Sequence, residues 1–150
     1  MTDDEPVTYD PPRRLQQLPS WLSSQVARKA ERLVTEALAQ EGARRQHFTV
    51  LTALAERGAT SQAALGRRLW IDRSDIHAII NELERDGLVK RERDRRDQRR
   101  NVVELTQRGA TRLNRLDRQV EAAQAALLRP LSARERRELK QLLAQIINDT

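Results

Sequence analysis

Apolar side chains recur every three or four residues along most of this 150-residue chain. This spacing places them on one face of an α-helix. No proline occurs between Ser20 and Arg129, so helices of several turns are permitted there. The pattern predicts long helices over residues 19–40, 45–57 and 107–128, and a further helix after the helix breaker Pro130.

These helices have recognisable ends and apolar faces. Pro19 or Ser20 is a typical helix start, and Thr106 is a typical N-cap. Ser132 and Glu135 form a capping box for the last helix. The second helix is predicted to bury Phe48, Leu51, Leu54 and Ala55. The helix over 107–128 carries a 3-4 repeat of Leu113, Leu116, Val120, Ala123 and Leu127, which is typical of a helix packed along another helix.

Between residues 60 and 85, two shorter helical patterns meet at a tight turn, the sequence WID. Thr60 is a fair N-cap for the first and Asp72 a strong one for the second. Four apolar residues of the second helix fall at positions i, i+3, i+4 and i+7 and predict its buried face: Ile76, Ile79, Ile80 and Leu83. The opposite side, near the start of that helix, carries Arg73, Ser74, Asp75, His77 and Ala78.

A highly charged segment follows at once. Residues 85–100 hold eight bases and four acids, and the apolar sequence NVVEL then returns as a strand. A run this charged is predicted to form an exposed β-ribbon. Asp97 precedes Arg99 by two residues at the predicted tip, where the carboxylate can hold the arginine in an extended pose.

A helix-turn-helix followed by a basic β-ribbon predicts a mainly α-helical, winged helix-turn-helix fold with a small β-wing. In such a fold the second helix enters the major groove of DNA and the ribbon reaches the flanking backbone. The residues predicted to contact DNA are Arg73, Ser74, Asp75, His77 and Ala78 on the helix, with Arg95, Arg96, Asp97 and Arg99 on the wing.

The charge balance fits this interpretation. The chain carries a net charge of +6, although residues 1–12 are acidic, rich in proline and predicted to be a disordered tail. A basic surplus suits double-stranded DNA, because bound bases release counterions from phosphates. Cysteine is absent, which excludes disulfides and thiol-based sensing. No secretory signal or apolar run long enough to span a membrane is present, so we expect a cytoplasmic protein without membrane contact.

The sequence lacks the residue patterns typical of an enzyme active site. Two histidines, His47 and His77, without cysteine give no metal cluster at ligand spacing, and no phosphate-binding glycine loop or nucleophile elbow occurs. We therefore expect neither catalytic residues nor a cofactor. The alternatives that stay open are a non-specific architectural DNA-binding protein and a winged helix used for protein contacts.

The apolar faces at the two ends of the chain lie outside the DNA-reading segment. A winged helix alone offers little surface against which to bury them, which predicts a homodimer in which the ends of two copies interlock. The residues predicted at this interface are Leu22, Val26, Leu113, Leu116, Val120, Leu142 and Ile146. The other possibility is that these helices fold back onto their own chain.

From about Arg44 onwards, roughly two-thirds of the chain resembles the MarR family of bacterial transcription regulators. The resemblance rests on the sequences HFTVLTAL, SQAALGRRL-WIDRSDIHAIINELERDGLV, DQRRNVVELTQRG and LSARERRELKQLL. It implies a homodimer that binds a pseudo-palindromic operator, often as a repressor released by a small phenolic or anionic ligand. Trp70 departs from the small residue usual in the turn, and Asp75 and Ala78 depart from the hydroxyl, polar or basic residues usual at their positions.

The resemblance also implies how the chain is divided. We expect one domain over residues 13–150, with a DNA-binding lobe at 45–106 and dimerisation helices at 19–41 and 107–150. Family ligands bind where the dimer helices meet the DNA-binding lobe. Candidates for such a crevice are Trp21, which could stack on an aromatic ligand, and Arg28 or His47, which could bind an anion. Gln25 and Phe48 lie in the same predicted region.

Overall fold

A computed structural model of the protein describes residues 8–149. The predicted tail at 1–12 therefore lies largely outside the described residues. After a short 3₁₀ turn at Leu15–Gln17, the helices are α1 (Pro19–Ala39), α2 (Arg45–Arg57), α3 (Gln62–Leu69), α4 (Arg73–Arg85), α5 (Gln107–Leu127) and α6 (Ala133–Asn148). The strands are β1 (Thr60–Ser61), β2 (Val89–Arg93) and β3 (Asn101–Leu105).

Side-chain caps set where most of these helices begin. The Asp72 carboxylate accepts from the Asp75 N–H at 3.0 Å, and the Thr106 hydroxyl accepts from the Gly109 N–H at 3.0 Å, so both predicted N-caps are confirmed. The capping box of Ser132 and Glu135 is also present. The prediction that Thr60 caps α3 was wrong. Thr60 lies in β1, and Ser61 caps α3 instead.

The three strands form an antiparallel sheet in the order β1-β3-β2. The ribbon register pairs Val89 with Leu105 and Arg93 with Asn101. Thr60 pairs with Val103 and Ser61 pairs with Val102, and the chain enters α3 directly after this short strand. The ribbon was predicted, whereas the two-residue strand β1 was not, because it has no alternating pattern to signal it.

One hydrophobic core joins the sheet to all helices except α6. The predicted buried face of α4 is confirmed, since its four apolar residues are almost fully inaccessible. Leu51 and Leu54 of α2 are also buried, and Phe48 packs at the edge. Ala55 was predicted inside but is exposed, and Val50 is buried in its place.

The start of α5 lies against the base of the wing. A Cβ added to Gly109 would come within 2.0 Å of the Leu88 carbonyl oxygen, so only glycine fits at this point of the helix. The same carbonyl accepts from the Thr106 N–H at 3.1 Å, and the Thr106 hydroxyl donates to the Gly87 carbonyl at 2.7 Å. These contacts hold α5 and the wing together.

Helix α5 packs against α1 of the same chain. Leu116 is 1% exposed and Leu113 is also buried, while Val120 packs partly against the same core. The prediction that Leu113 and Leu116 face a second copy was therefore wrong, because they have almost no surface left to contribute. Their 3-4 repeat does mark a helix–helix contact, but the partner helix is α1.

The two ends of the described chain keep exposed apolar faces. No residue of α6 is buried, and Ile146 is 73% exposed. Leu142, Leu143 and Ile147 lie exposed on the same helix, and Leu22 and Val26 lie exposed on α1. None of the helices within residues 8–149 has the length and apolar composition needed to cross a membrane.

Candidate nucleic-acid interface

The N-terminal half of α4 presents a polar face to solvent. Because the isoleucines turn inward, all five residues predicted to contact DNA on this helix are exposed: Arg73, Ser74, Asp75, His77 and Ala78. The Ser74 hydroxyl donates to the Asp72 carboxylate at 2.8 Å, so its proton serves the cap. The Asp75 N–H, followed by the Ser74 hydroxyl, lowers the pKa of the Asp72 carboxyl. The start of the helix is therefore held in place at neutral pH.

The wing tip is closed by its own backbone and two aspartates. The Asp94 N–H donates to the Arg100 carbonyl at 2.8 Å, and the Arg96 N–H donates to the Asp94 carboxylate at 2.9 Å. The side chains of Arg95, Arg96 and Arg99 are exposed around this turn. The turn thus uses the backbone of Arg96 and Arg100 for its own hydrogen bonds and leaves the arginine side chains exposed.

The predicted pairing of Asp97 with Arg99 is confirmed. One Asp97 carboxylate oxygen accepts from the Arg99 backbone N–H at 3.1 Å and from its Nε at 3.3 Å. The Arg99 side chain remains 93% exposed. The Arg99 side chain is therefore oriented by Asp97 and remains accessible to solvent.

A cleft of about 480 Å³ separates the start of α4 from the wing. Four arginines are among the residues that line it: Arg67, Arg73, Arg99 and Arg100. Sequence reasoning singled out Arg73 and Arg99 but missed Arg67, which lies at the end of α3. Its only sequence signal was a basic pair in the last turn of that helix. A concave surface lined by arginine suits a polyanionic partner.

Two basic side chains of the ribbon, Lys90 and Arg91, form ion pairs within the protein. The Arg91 side chain is 13% exposed and is bonded to α3 and α4. Lys90 pairs with Glu104 of the neighbouring strand at 3.2 Å, and this hydrogen bond raises the pKa of Lys90. The net charge of the ribbon therefore overstates the charge available to a ligand.

Trp70 occupies the turn between α3 and α4. Its φ of 57° and ψ of 36° are left-handed, and it is the one non-glycine residue with positive φ among those described. The side chain is 96% exposed. No apolar contact compensates for the strained backbone at this position.

His47, predicted as a ligand contact, is occupied within the protein. Its Nδ1 accepts from the Arg44 N–H at 3.2 Å, and its Nε2 lies 2.7 Å from a Glu82 carboxylate oxygen. This contact, followed by the Arg44 guanidinium, lowers the pKa of Glu82. Both ring nitrogens are engaged, which counts against binding of an anion by His47. Trp21 is half-buried and Arg28 is exposed, both on α1.

Comparison with known proteins identifies the family. A family model described as MarR family matches residues 41–100. The homoprotocatechuate degradative operon repressor of Escherichia coli is 31% identical over 102 residues, which are 68% of this chain and 69% of that repressor. The chain belongs to the MarR family. The resemblance inferred from the sequence is thereby confirmed.

Solved structures agree on the fold. A probable transcriptional regulator from Pseudomonas aeruginosa is 28% identical, with a TM-score of 0.77 over 89% of this chain and 99% of that chain. PcaV of Streptomyces coelicolor, solved in complex with its natural ligand, is 26% identical, with a TM-score of 0.74 over 93% of this chain and 98% of that one. The winged helix-turn-helix fold predicted for this MarR-family chain is thus confirmed.

Proposed function

We propose that this MarR-family chain is a sequence-specific DNA-binding transcriptional repressor that acts as a homodimer on a pseudo-palindromic operator. The observation that carries the proposal is the arginine-lined cleft between α4 and the wing, with polar side chains on one wall and Arg99 extended from the other. The helix supplies groups for base edges, and the wing supplies charge for the flanking backbone.

The homodimer is supported by the apolar faces at the two ends of the chain. Exposed leucine, valine and isoleucine side chains on α1 and α6 form surfaces of the kind that protein partners cover. A second copy supplies matching faces through a two-fold axis and places two α4 helices on successive major grooves. The DNA-binding lobe is then residues 45–106, and dimerisation rests on α1 and α6 rather than on the core of α5.

Repression and release by a ligand are supported by the relatives. The Escherichia coli protein is named as an operon repressor, and PcaV was solved with a natural ligand. We extend both properties to this chain, with a small phenolic or anionic effector. Trp21 and Arg28 are its candidate contacts, because residues seven apart lie on one face of α1. A cytoplasmic location and the absence of catalysis belong to the same proposal.

Selection of binding sites from random duplex DNA tests the proposal. A specific repressor enriches a palindrome with half-sites about one helical turn apart and binds it at least about 10³-fold more tightly than random DNA. Equal binding to all sequences would support an architectural protein instead. Absence of salt-dependent DNA binding would favour a protein-contact module.

A further inference from the structure

A chain of hydrogen bonds links the wing strand β2 to His77 on the exposed face of α4. Arg91 donates from Nη1 to the Gln62 side-chain oxygen at 3.1 Å and from Nη2 to Asn81 and Glu84. The Gln62 side-chain nitrogen lies 3.3 Å from His77 Nδ1. Gln62 is thus held between a half-buried guanidinium and an imidazole on the predicted reading face.

The chemistry of these groups fixes the direction of each hydrogen bond. A guanidinium can only donate, so the Gln62 atom facing Arg91 must be the oxygen. The amide NH₂ group then faces His77, and it too can only donate. Nδ1 of His77 must therefore accept, and the proton of the neutral ring lies on Nε2, which is the nitrogen not bonded to Gln62.

We infer that Arg91 and Gln62 are positioning residues that select the tautomer of His77, so that α4 presents an N–H donor to the major groove. This inference rests on the proposed function. A donor favours the acceptors on guanine, adenine N7 or thymine O4 and disfavours the cytosine amino group. His77 then specifies one base pair per half-site, and Gln62 and Arg91 control that choice through the ring proton of His77.

The tautomer can be measured in the free protein. With only two histidines in the chain, long-range proton–nitrogen NMR spectra are simple to assign, using His47→Gln to identify His77. At about pH 8.5, where an ordinary imidazole is neutral, we expect His77 to show an unprotonated Nδ1 and a protonated Nε2. A wild-type ring protonated on Nδ1 would overturn the inference.

Gln62→Glu is the informative variant. The carboxylate still accepts from Arg91, but it can only accept from His77, so the proton is expected to move to Nδ1. Arg91→Met should release the amide and give a mixture of tautomers. Arg93→Met is the matched control, because Arg93 lies two residues along the same strand and is exposed. Circular dichroism verifies that each variant folds. An unchanged His77 spectrum in Gln62→Glu would refute the proposal that Gln62 selects the tautomer of His77.

Selection on DNA tests the consequence for specificity. Gln62→Glu should change the preference at one base pair of each half-site by about tenfold while keeping the rest of the operator. A specific operator with the same preference in both proteins would contradict the readout. If no specific site is enriched by either protein, the proposed function is wrong. The NMR result still decides whether Gln62 and Arg91 select the tautomer of His77.

Discussion

The inner face of α4 and the apolar face of α6 carry similar sequences in opposite surroundings. Isoleucine and leucine at helical spacing are almost fully buried on α4, whereas the equivalent stripe on α6 is largely exposed. The first belongs to a core that the chain completes by itself. The second is the surface that we propose a second copy covers, because exposed apolar patches of this kind commonly mark interaction sites. An apolar stripe therefore shows that a helix packs, but not against which helix.

The largest effect is expected from the core of α5. Leu116→Ala removes a fully buried side chain and should lower the free energy of unfolding by about 2–5 kcal/mol. Urea denaturation measures this loss, and sedimentation should show that the folded protein has an unchanged oligomeric state. If the variant instead dissociates with each protomer as stable as before, Leu116 lies at the interface after all.

The next effect concerns α6. Replacing Ile146 and Ile147 together with aspartate places charges where a second copy would pack, and it should weaken dimerisation at least about 100-fold. Helix content should not change, because neither side chain is buried in the protomer. Sedimentation equilibrium measures the association. Gln141→Asp on the same helix is the control, and a double variant that dimerises like this control would exclude α6 from the interface.

A smaller effect is expected at the wing tip. Arg99→Ala should weaken operator binding by about tenfold and reduce the salt dependence by about one counterion, because we propose that the exposed guanidinium contacts the phosphate backbone. Fluorescence anisotropy at several salt concentrations measures both quantities. Arg137→Ala, at an exposed arginine of α6, should leave them unchanged. Equal affinities of the two variants would show that Arg99 does not contact the DNA.

The smallest expected effect is an increase in stability, at Trp70. Trp70→Asn keeps a left-handed residue in the turn but uses a side chain that tolerates this conformation, so the free energy of unfolding should rise by about 1 kcal/mol. The exposed indole contributes little burial to lose. Thermal denaturation checks the sign. A lower stability would mean that Trp70 makes a stabilising contact, for example with a second copy.

Local chemistry made much of the fold predictable. Asp72 and Thr106 act as caps through their own next turn, and the isoleucines of α4 have a spacing that only one face of a helix satisfies. Thr60 and Ser61 could not be distinguished, because both are good capping residues and both pair with a strand more than forty residues away. The prediction that Ala55 is buried was wrong for a related reason, because its exposure depends on which elements pack around α2.

The site shows the same limit. Arg91 and Arg93 are identical residues two positions apart, yet one joins three elements and the other is exposed. The sequence offers no signal that separates them, because the difference arises from Gln62, Asn81 and Glu84 converging in space. The Asp97–Arg99 pair was predictable because both partners lie within one turn.

The tight fit of Gly109 against Leu88 couples the base of the ribbon to α5. Strand β2 spans five residues, or roughly 17 Å, from this contact towards the tip. If the ribbon turns with α5 as a rigid body, a reorientation of α5 by about 6° moves the end of β2 by about 2 Å. That displacement is enough to break a hydrogen bond, so small shifts between subunits can be amplified at the far end of the wing.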